Sequence, residues 1–193
     1  DLLVNCAGRG DRRVSDRTGV DATRAIVGAL SRSGIPGVLL STTRVLEGAL
    51  GSATEDAQPR PTSDYAKANT ENERIWLQAR SDGGRLSVLR LTNYFAAPIA
   101  ADSPQSRLLP WSLVDEAVKI GAITMRSGPQ LSKDFVSADD VASALELLAG
   151  HSDSPALCAT APGLQVTLSE LADLTATAVA TAGLDAPLVT FGL

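Results

Sequence analysis

The 193-residue chain holds one histidine, two cysteines and one methionine, and only 4% of it is aromatic. Each shortage excludes something. With His151 as the one histidine and no cysteine cluster, a conventional zinc site lacks its ligands, so no metal is expected. A Ser-His-Asp triad would have to be built on His151, which lies in the loop-like segment Gly150-His151-Ser152-Asp153-Ser154. Cys6 and Cys158 sit in apolar, strand-like runs and read as buried free thiols rather than as a disulfide. No apolar run approaches membrane-spanning length and no signal peptide is visible, so no membrane partner and a cytoplasmic location are expected. A net charge of -5 leaves no basic surplus to neutralise phosphates, which argues against a nucleic-acid partner.

What is present is an ordinary soluble composition, 44% hydrophobic and 20% charged, long enough for a substantial core. Continuous apolar runs at Leu2-Leu3-Val4, Gly37-Val38-Leu39-Leu40-Ser41-Thr42 and Arg85-Leu86-Ser87-Val88-Leu89-Arg90-Leu91-Thr92 predict strands buried on both faces, hence a parallel sheet. Between them lie an amphipathic helix over 21–30 and a second helix from about Ser63 to Arg80. The β-α-β-α-β order predicts a doubly wound α/β sheet with right-handed crossovers. Beyond residue 93 the texture changes. Helices are expected over 111–120, 138–149 and from Leu168, the last opened by the capping box Thr167-Leu168-Ser169-Glu170. Short strands are expected near 123–125, 133–136, 156–159 and 187–191. The division expected is a partial Rossmann-like core, 1–93, and a smaller substrate-side lobe, 94–193, interleaved with the last sheet strands.

Sheets of this class bind ligands at the C-terminal ends of their strands. Three such ends carry polar or small residues: Asn5 to Gly8, Ser41 to Thr43, and Thr92-Asn93. Tyr65 stands near the start of the helix that follows the second. Tyrosine has a reference pKa of about 10, and a nearby cation that lowers it by roughly 1–3 units makes it an acid/base for carbonyl and alcohol chemistry. Taken singly, Tyr65 is also compatible with a packing tyrosine, Thr42 with a strand-end cap, and Asn93 and Lys133 with polar loop positions.

Taken together, the segments resemble the extended short-chain dehydrogenase/reductase family, the NAD(P)-dependent sugar-nucleotide epimerases, dehydratases and ketoreductases. Asn5-Cys6-Ala7-Gly8 resembles a strand end that lies along the cofactor. Ser41-Thr42-Thr43-Arg44-Val45-Leu46-Glu47 resembles Ser-Thr/Ser-x-x-Val-Tyr-Gly, and Tyr65-Ala66-Lys67-Ala68-Asn69 overlays Tyr-x-x-x-Lys, with Glu73 in the acidic position that follows. Leu89-Arg90-Leu91-Thr92-Asn93 resembles Leu-Arg-x-x-Asn, and the run from Lys133 to Ala142 resembles Arg-Asp-Phe-Val-His-Val-Asp-Asp-Val-Ala. The resemblance implies Thr42, Tyr65 and Asn69 at the catalytic positions. It implies Asn5, Ala7, Gly8, Ser41, Tyr65, Asn69 and Leu91 along NAD or NADP, and Thr43, Asn93 and Lys133 toward a nucleotide-sugar substrate. A homodimer is likewise implied by resemblance.

The departures carry as much weight. No Gly-x-x-Gly-x-x-Gly turn occurs, and the chain opens with Asp1 on an apolar run. It therefore reads as N-terminally truncated, with roughly two βα units, on the order of 60 residues, expected upstream to cradle the pyrophosphate. Asn69 stands where the family has lysine, and Lys67, two residues from Tyr65, points to another face of a regular helix. Thr43-Arg44 replace the Asp-Glu of sugar dehydratases, which shifts the expected activity toward a 4-ketoreductase or epimerase. The alternative is a degenerate member without redox activity, acting as a binding or partner subunit or in a non-redox reaction.

Overall fold

The computed structural model describes residues 1–6, 17–49, 54–97, 100, 108–151, 153–159 and 164–192. They form two compact units, one of Asp1–Thr92 with Asp140–Ala161 and one of Asn93–Asp139 with Pro162–Leu193.

The first unit is built on a four-stranded parallel sheet of β1 (Leu3–Asn5), β2 (Gly37–Thr42), β3 (Leu86–Leu91) and β7 (Leu157–Ala159), in the order β1-β2-β3-β7. Every pairing is parallel, with Leu3 opposite Gly37, Leu39 opposite Val88, and Leu89 opposite Cys158. The crossovers are α1 (Arg17–Ser33) between β1 and β2, and α2 (Asp64–Ser81) between β2 and β3. Gly34, at φ 69°, closes α1 in the left-handed conformation that glycine adopts without steric cost, its N–H bonded to Leu30 O at 3.0 Å. Helix α1 starts at Arg17, earlier than its apolar pattern indicates, because the first turn is polar and carries Gly19.

The core beneath these helices joins Val27 and Leu30 of α1, Leu39 of β2, Trp76 of α2, and Leu86 and Val88 of β3. It closes over Gly37, the first residue of β2. A Cβ there would lie 2.7 Å from Leu30 Cδ1 and 3.0 Å from both Leu86 Cδ2 and Trp76 Cζ2. The absent side chain is what lets α1 and the fully buried indole of α2 meet on the strand.

The second unit holds α3 (Leu109–Ile120), a three-stranded sheet of β4 (Asn93–Phe95), β6 (Ser132–Ser137) and β8 (Leu164–Thr167), a parallel pair of β5 (Ala122–Met125) and β9 (Leu188–Phe191), and α5 (Leu168–Thr181). Strand β6 is central, parallel to β4 and antiparallel to β8. Helix α4 (Ala138–Gly150) follows β6 directly and runs mostly within the first unit. The expected capping box is present: Thr167 Oγ1 accepts from Glu170 N, and Glu170 Oε2 accepts from Thr167 N at 2.7 Å. The core of this unit gathers Leu113 and Ala117 from α3, Ile123 and Met125 from β5, Phe135 from β6, and Leu171, Ala172 and Val179 from α5. Phe95 meets Phe135 edge to face, centroids 6.4 Å apart.

Strands β4 and β8 are additions to the sequence-based expectation. β4 is a three-residue piece set off from β3 by Thr92 alone, and β8 is four residues leading straight into α5. Neither has the length that makes a periodicity visible. The cysteines require a correction. Both are free, but Cys6 lies just past the end of β1 and is exposed, while Cys158, in the edge strand β7, is half-buried. Among the described residues no helix is long and apolar enough to cross a membrane.

Gly37→Ala is expected to destabilise the protein by roughly 1–3 kcal/mol through overpacking against Leu30 and Trp76. A urea denaturation midpoint unchanged from wild type would show that the helices yield at no cost.

Candidate functional site

Strand β2 ends in Ser41-Thr42, after which the chain tightens into a 3-10 turn, Thr43–Leu46. Thr42 has extended backbone angles and caps that turn, its Oγ1 accepting from Arg44 N at 3.2 Å. The hydroxyl proton of Thr42 remains available to a second acceptor. Tyr65 is the second residue of α2 and is half-buried. Its helix is started by Ser63, whose Oγ accepts from Ala66 N at 3.2 Å.

One carboxylate ties these two elements together. Glu47 Oε1 accepts from Thr62 N at 3.0 Å, Thr62 Oγ1 at 2.8 Å and Ser63 N at 2.6 Å, at the entry to α2. Its Oε2 accepts from Arg44 Nε at 3.1 Å and Nη2 at 2.9 Å. The bonds from Ser63, then those from Thr62, hold the Glu47 carboxyl far below the usual range, so it is ionised at any physiological pH. The Arg44 guanidinium so anchored lies over the Tyr65 ring, 5.8 Å from its centroid.

At position 69 the carboxamide is buried, and its Nδ2 donates to Tyr65 O one turn earlier at 2.9 Å. Asn69 Oδ1 is left as an acceptor. Lys67 is exposed and pairs with Asp64 at 3.2 Å. The cation recorded over Tyr65 thus comes from the turn after β2 and not from α2.

Behind these residues lies a buried charge network. Arg90 of β3 donates through Nε to Glu73 Oε1 at 3.0 Å, through Nη2 to Glu73 Oε2 at 2.8 Å, and through Nη1 to the carbonyl oxygen of Glu55 at 3.2 Å. Ser41 Oγ donates to Glu73 Oε1 at 2.5 Å. The two charged side chains are only 2% and 3% exposed. Glu55 extends the network to the far edge of the sheet, its carboxylate accepting from Ala159 N of β7 at 2.7 Å. Burial, then the Glu55 charge, pushes the Cys158 thiol up, so it is held as the thiol. Reading the sequence missed this pairing, although it left a signal. An arginine inside a buried strand and a glutamate on the buried side of a helix are each too costly to stand alone.

The remaining expected residues are distributed as follows. Asn5 is buried, its Nδ2 donating to Thr23 Oγ1 of α1 at 3.5 Å. Ser41 turns its hydroxyl into the Glu73 network. Leu91, at the end of β3, and Thr43, the first residue of the 3-10 turn, are half-buried. Ala7 and Gly8 lie outside the described residues. In the second unit, Asn93 of β4 donates to Asp134 O at 3.0 Å, which places it beside the Lys133-Asp134 end of β6. Among the described residues no group of three His, Cys, Asp or Glu side chains is placed to hold a metal.

Comparison with known proteins gives a consistent picture. The model of the NAD dependent epimerase/dehydratase family matches residues 1–157. The solved structure of MoeE5 in complex with UDP-glucuronic acid and NAD is 25% identical with a TM-score of 0.72, over 89% of this chain and 56% of that one. Two others share the fold. UDP-glucuronic acid 4-epimerase from Bacillus cereus, in complex with NAD, has 14% identity and a TM-score of 0.80, over 99% of this chain and 63% of that one. DesIV, the dTDP-glucose 4,6-dehydratase from Streptomyces venezuelae with NAD and TYD bound, has 18% identity and a TM-score of 0.77, over 100% of this chain and 61% of that one. The chain thus spans between 56% and 63% of the length of these structures. No curated protein matches it.

Two expected outcomes follow from the charges. Glu73→Gln leaves Arg90 buried without its counter-charge and is expected to cost about 3–5 kcal/mol in urea denaturation, whereas Glu73→Met with Arg90→Met should lose less than the single change. A double variant weaker than the single one would refute the buried-charge account. Glu47 contributes stability that is fully present above its unfolded pKa, near the ordinary 4.5, and is lost as pH falls toward its depressed folded value. The melting temperatures of wild type and Glu47→Gln should therefore differ by a constant amount above about pH 5 and draw together progressively as pH falls below about 4.5 toward the depressed folded value; a difference that does not shrink in acid would contradict the assignment.

Proposed function

The chain belongs to the NAD dependent epimerase/dehydratase family, and from that premise we propose that it is part of an NAD(P)-dependent oxidoreductase acting on a nucleotide-activated sugar, of the 4-ketoreductase or epimerase type. The observation that carries this reading is the joining of a strand-end hydroxyl and a helix-start tyrosine through residue 44, whose amide binds Thr42 and whose guanidinium covers Tyr65. Tyr65 Oη takes or returns the proton of a sugar hydroxyl, and the Thr42 hydroxyl donates to the same oxygen, supporting the charge that develops there. Arg44 in place of an acidic residue speaks against a dehydratase, because elimination needs a second acid/base beside the tyrosine.

The residues present fit one end of a nicotinamide dinucleotide. Asn69 Oδ1 suits a ribose hydroxyl, since Nδ2 is already engaged by Tyr65 O. No Gly-x-x-Gly-x-x-Gly turn occurs in the sequence, so the residues described offer the pyrophosphate no cradle. When bound, the nicotinamide would supply the hydride acceptor, as NAD(P), for an epimerase and the hydride donor, as NAD(P)H, for a ketoreductase. In the second unit, Lys133 and Asn93 are assigned to the nucleotide diphosphate, Lys133 as a point charge. A second reading, a member without redox activity that serves as a binding subunit, is favoured by the bond between Asn69 and its own helix, which puts no charge beside Tyr65.

The two readings separate on full-length protein titrated with oxidised and reduced NAD and NADP and assayed with UDP-glucuronic acid and UDP-glucose, and with a 4-keto nucleotide sugar plus reduced cofactor. Cofactor binding with turnover, and a loss of at least about 100-fold in kcat for Tyr65→Phe, is the expected result. Absence of cofactor binding to the folded protein would overturn the oxidoreductase in favour of the second reading.

A further inference from the structure

We propose that Arg44 is the positioning residue of Tyr65, holding the ring by its face and supplying from the β2 turn the positive charge that position 69 lacks. The inference rests on the reading of Tyr65 as the proton-transferring group. Three features of the local geometry carry it.

The first is reach in both directions. The Arg44 backbone N–H binds Thr42 Oγ1 at 3.2 Å, and its guanidinium carbon stands 5.8 Å from the Tyr65 centroid. One residue therefore touches both groups assigned to the proton. The second is fixation. An exposed arginine has little reason to stay over a ring, but here Nε and Nη2 are both held by Glu47 Oε2, while Glu47 Oε1 is held by three donors from Thr62 and Ser63. Those donors belong to the two residues just before α2, so the arginine and the tyrosine are referenced to the same helix start. The third is elimination within the neighbourhood. Lys67 is paired with Asp64, and Asn69 is neutral and bonded to Tyr65 O.

A guanidinium over the face of an aromatic ring attracts its negative quadrupole, and attracts it more strongly as the phenol oxygen gives up its proton. The Glu47 carboxylate bonded to that guanidinium offsets part of its charge. The effect expected is therefore modest, about two- to fivefold in kcat, against the larger contribution of a lysine ammonium set beside the phenol. Arg44 is held through Nε and Nη2 by Glu47, and its Nη1 is bonded to none of the described residues.

The test uses the full-length protein with NAD and UDP-glucuronic acid or UDP-glucose, whichever is turned over. Arg44→Met should lower kcat about two- to fivefold with KM changed less than twofold, and Arg44→Lys should recover most of the loss. Asn69→Lys placed in the Arg44→Met background should restore turnover more than it raises turnover of the wild type, because only the former lacks a cation. A readout independent of turnover comes from the Tyr65 ring itself. With 13C-labelled tyrosine, the ring resonances absent from Tyr65→Phe should move in Arg44→Met and return toward wild type in Arg44→Lys. Unmoved resonances, or an Arg44→Met enzyme as fast as wild type, would overturn the role of Arg44. Full turnover by Tyr65→Phe would overturn the underlying reading, so the two failures are told apart.

Discussion

The bidentate pair of Glu73 and Arg90 is the contact on which the first unit depends. Removing a carboxylate and a guanidinium from water costs several kcal/mol each, and their attraction offsets this only when the remaining lone pairs and protons are also used. Here they are used. Glu73 accepts from Arg90 twice and from Ser41 once, and the third arm of Arg90 reaches the Glu55 carbonyl. The requirement that all these bonds form at once leaves one arrangement of β2, α2 and β3. A core of Leu, Val and Trp alone would tolerate small slips between helix and strand, whereas this network does not.

That restriction bears directly on the site. Ser41 immediately precedes Thr42, and Glu73 lies eight residues beyond Tyr65 on the same helix, about 12 Å along its axis. The network therefore fixes the middle of the helix whose first turn carries the tyrosine. Glu47 fixes the near end by binding the amides that open α2. Two glutamates thus bracket Tyr65, one deep and one near the surface. The exposed pairs of the chain, such as Arg74 with Glu71 and Lys119 with Asp115, are of another kind, screened by water and of little consequence for geometry.

Much of this architecture was legible in the residues. The parallel strands announce themselves as apolar runs, α5 by its capping box, and the start of α2 by Ser63. These are local signals, decided by a few adjacent residues. What stayed hidden depends on residues distant in the chain. The pairing of residues 73 and 90 needs both elements placed before it can be seen, although the presence of Arg90 in a buried strand already demanded a partner. Strands β4 and β8 exist because β6 lies between them, not because three or four residues prefer extension. The position of Arg44 is hidden for a third reason. A motif comparison places it in the sequence opposite an acidic residue and treats Tyr65 with position 69 as a closed pair, so a cation arriving from the preceding turn has no place in the pattern.

The substitution at position 69 then acquires a different meaning. By resemblance, a lysine there would perform two tasks, lending charge to the tyrosine and bonding a ribose hydroxyl, and the two are physically separable. Charge acts over several ångströms and can come from any direction that leaves the oxygen accessible, whereas a hydrogen bond must come from the residue that faces the ribose. An asparagine can perform only the second task, and its own geometry suits that task, with Nδ2 anchored on the helix and Oδ1 left as an acceptor. In the proposed arrangement the first task falls to Arg44, which approaches the ring face. On that proposal the work of a lysine is divided between two residues, and acid/base function at the site would depend on the turn after β2 as much as on the helix that bears the tyrosine.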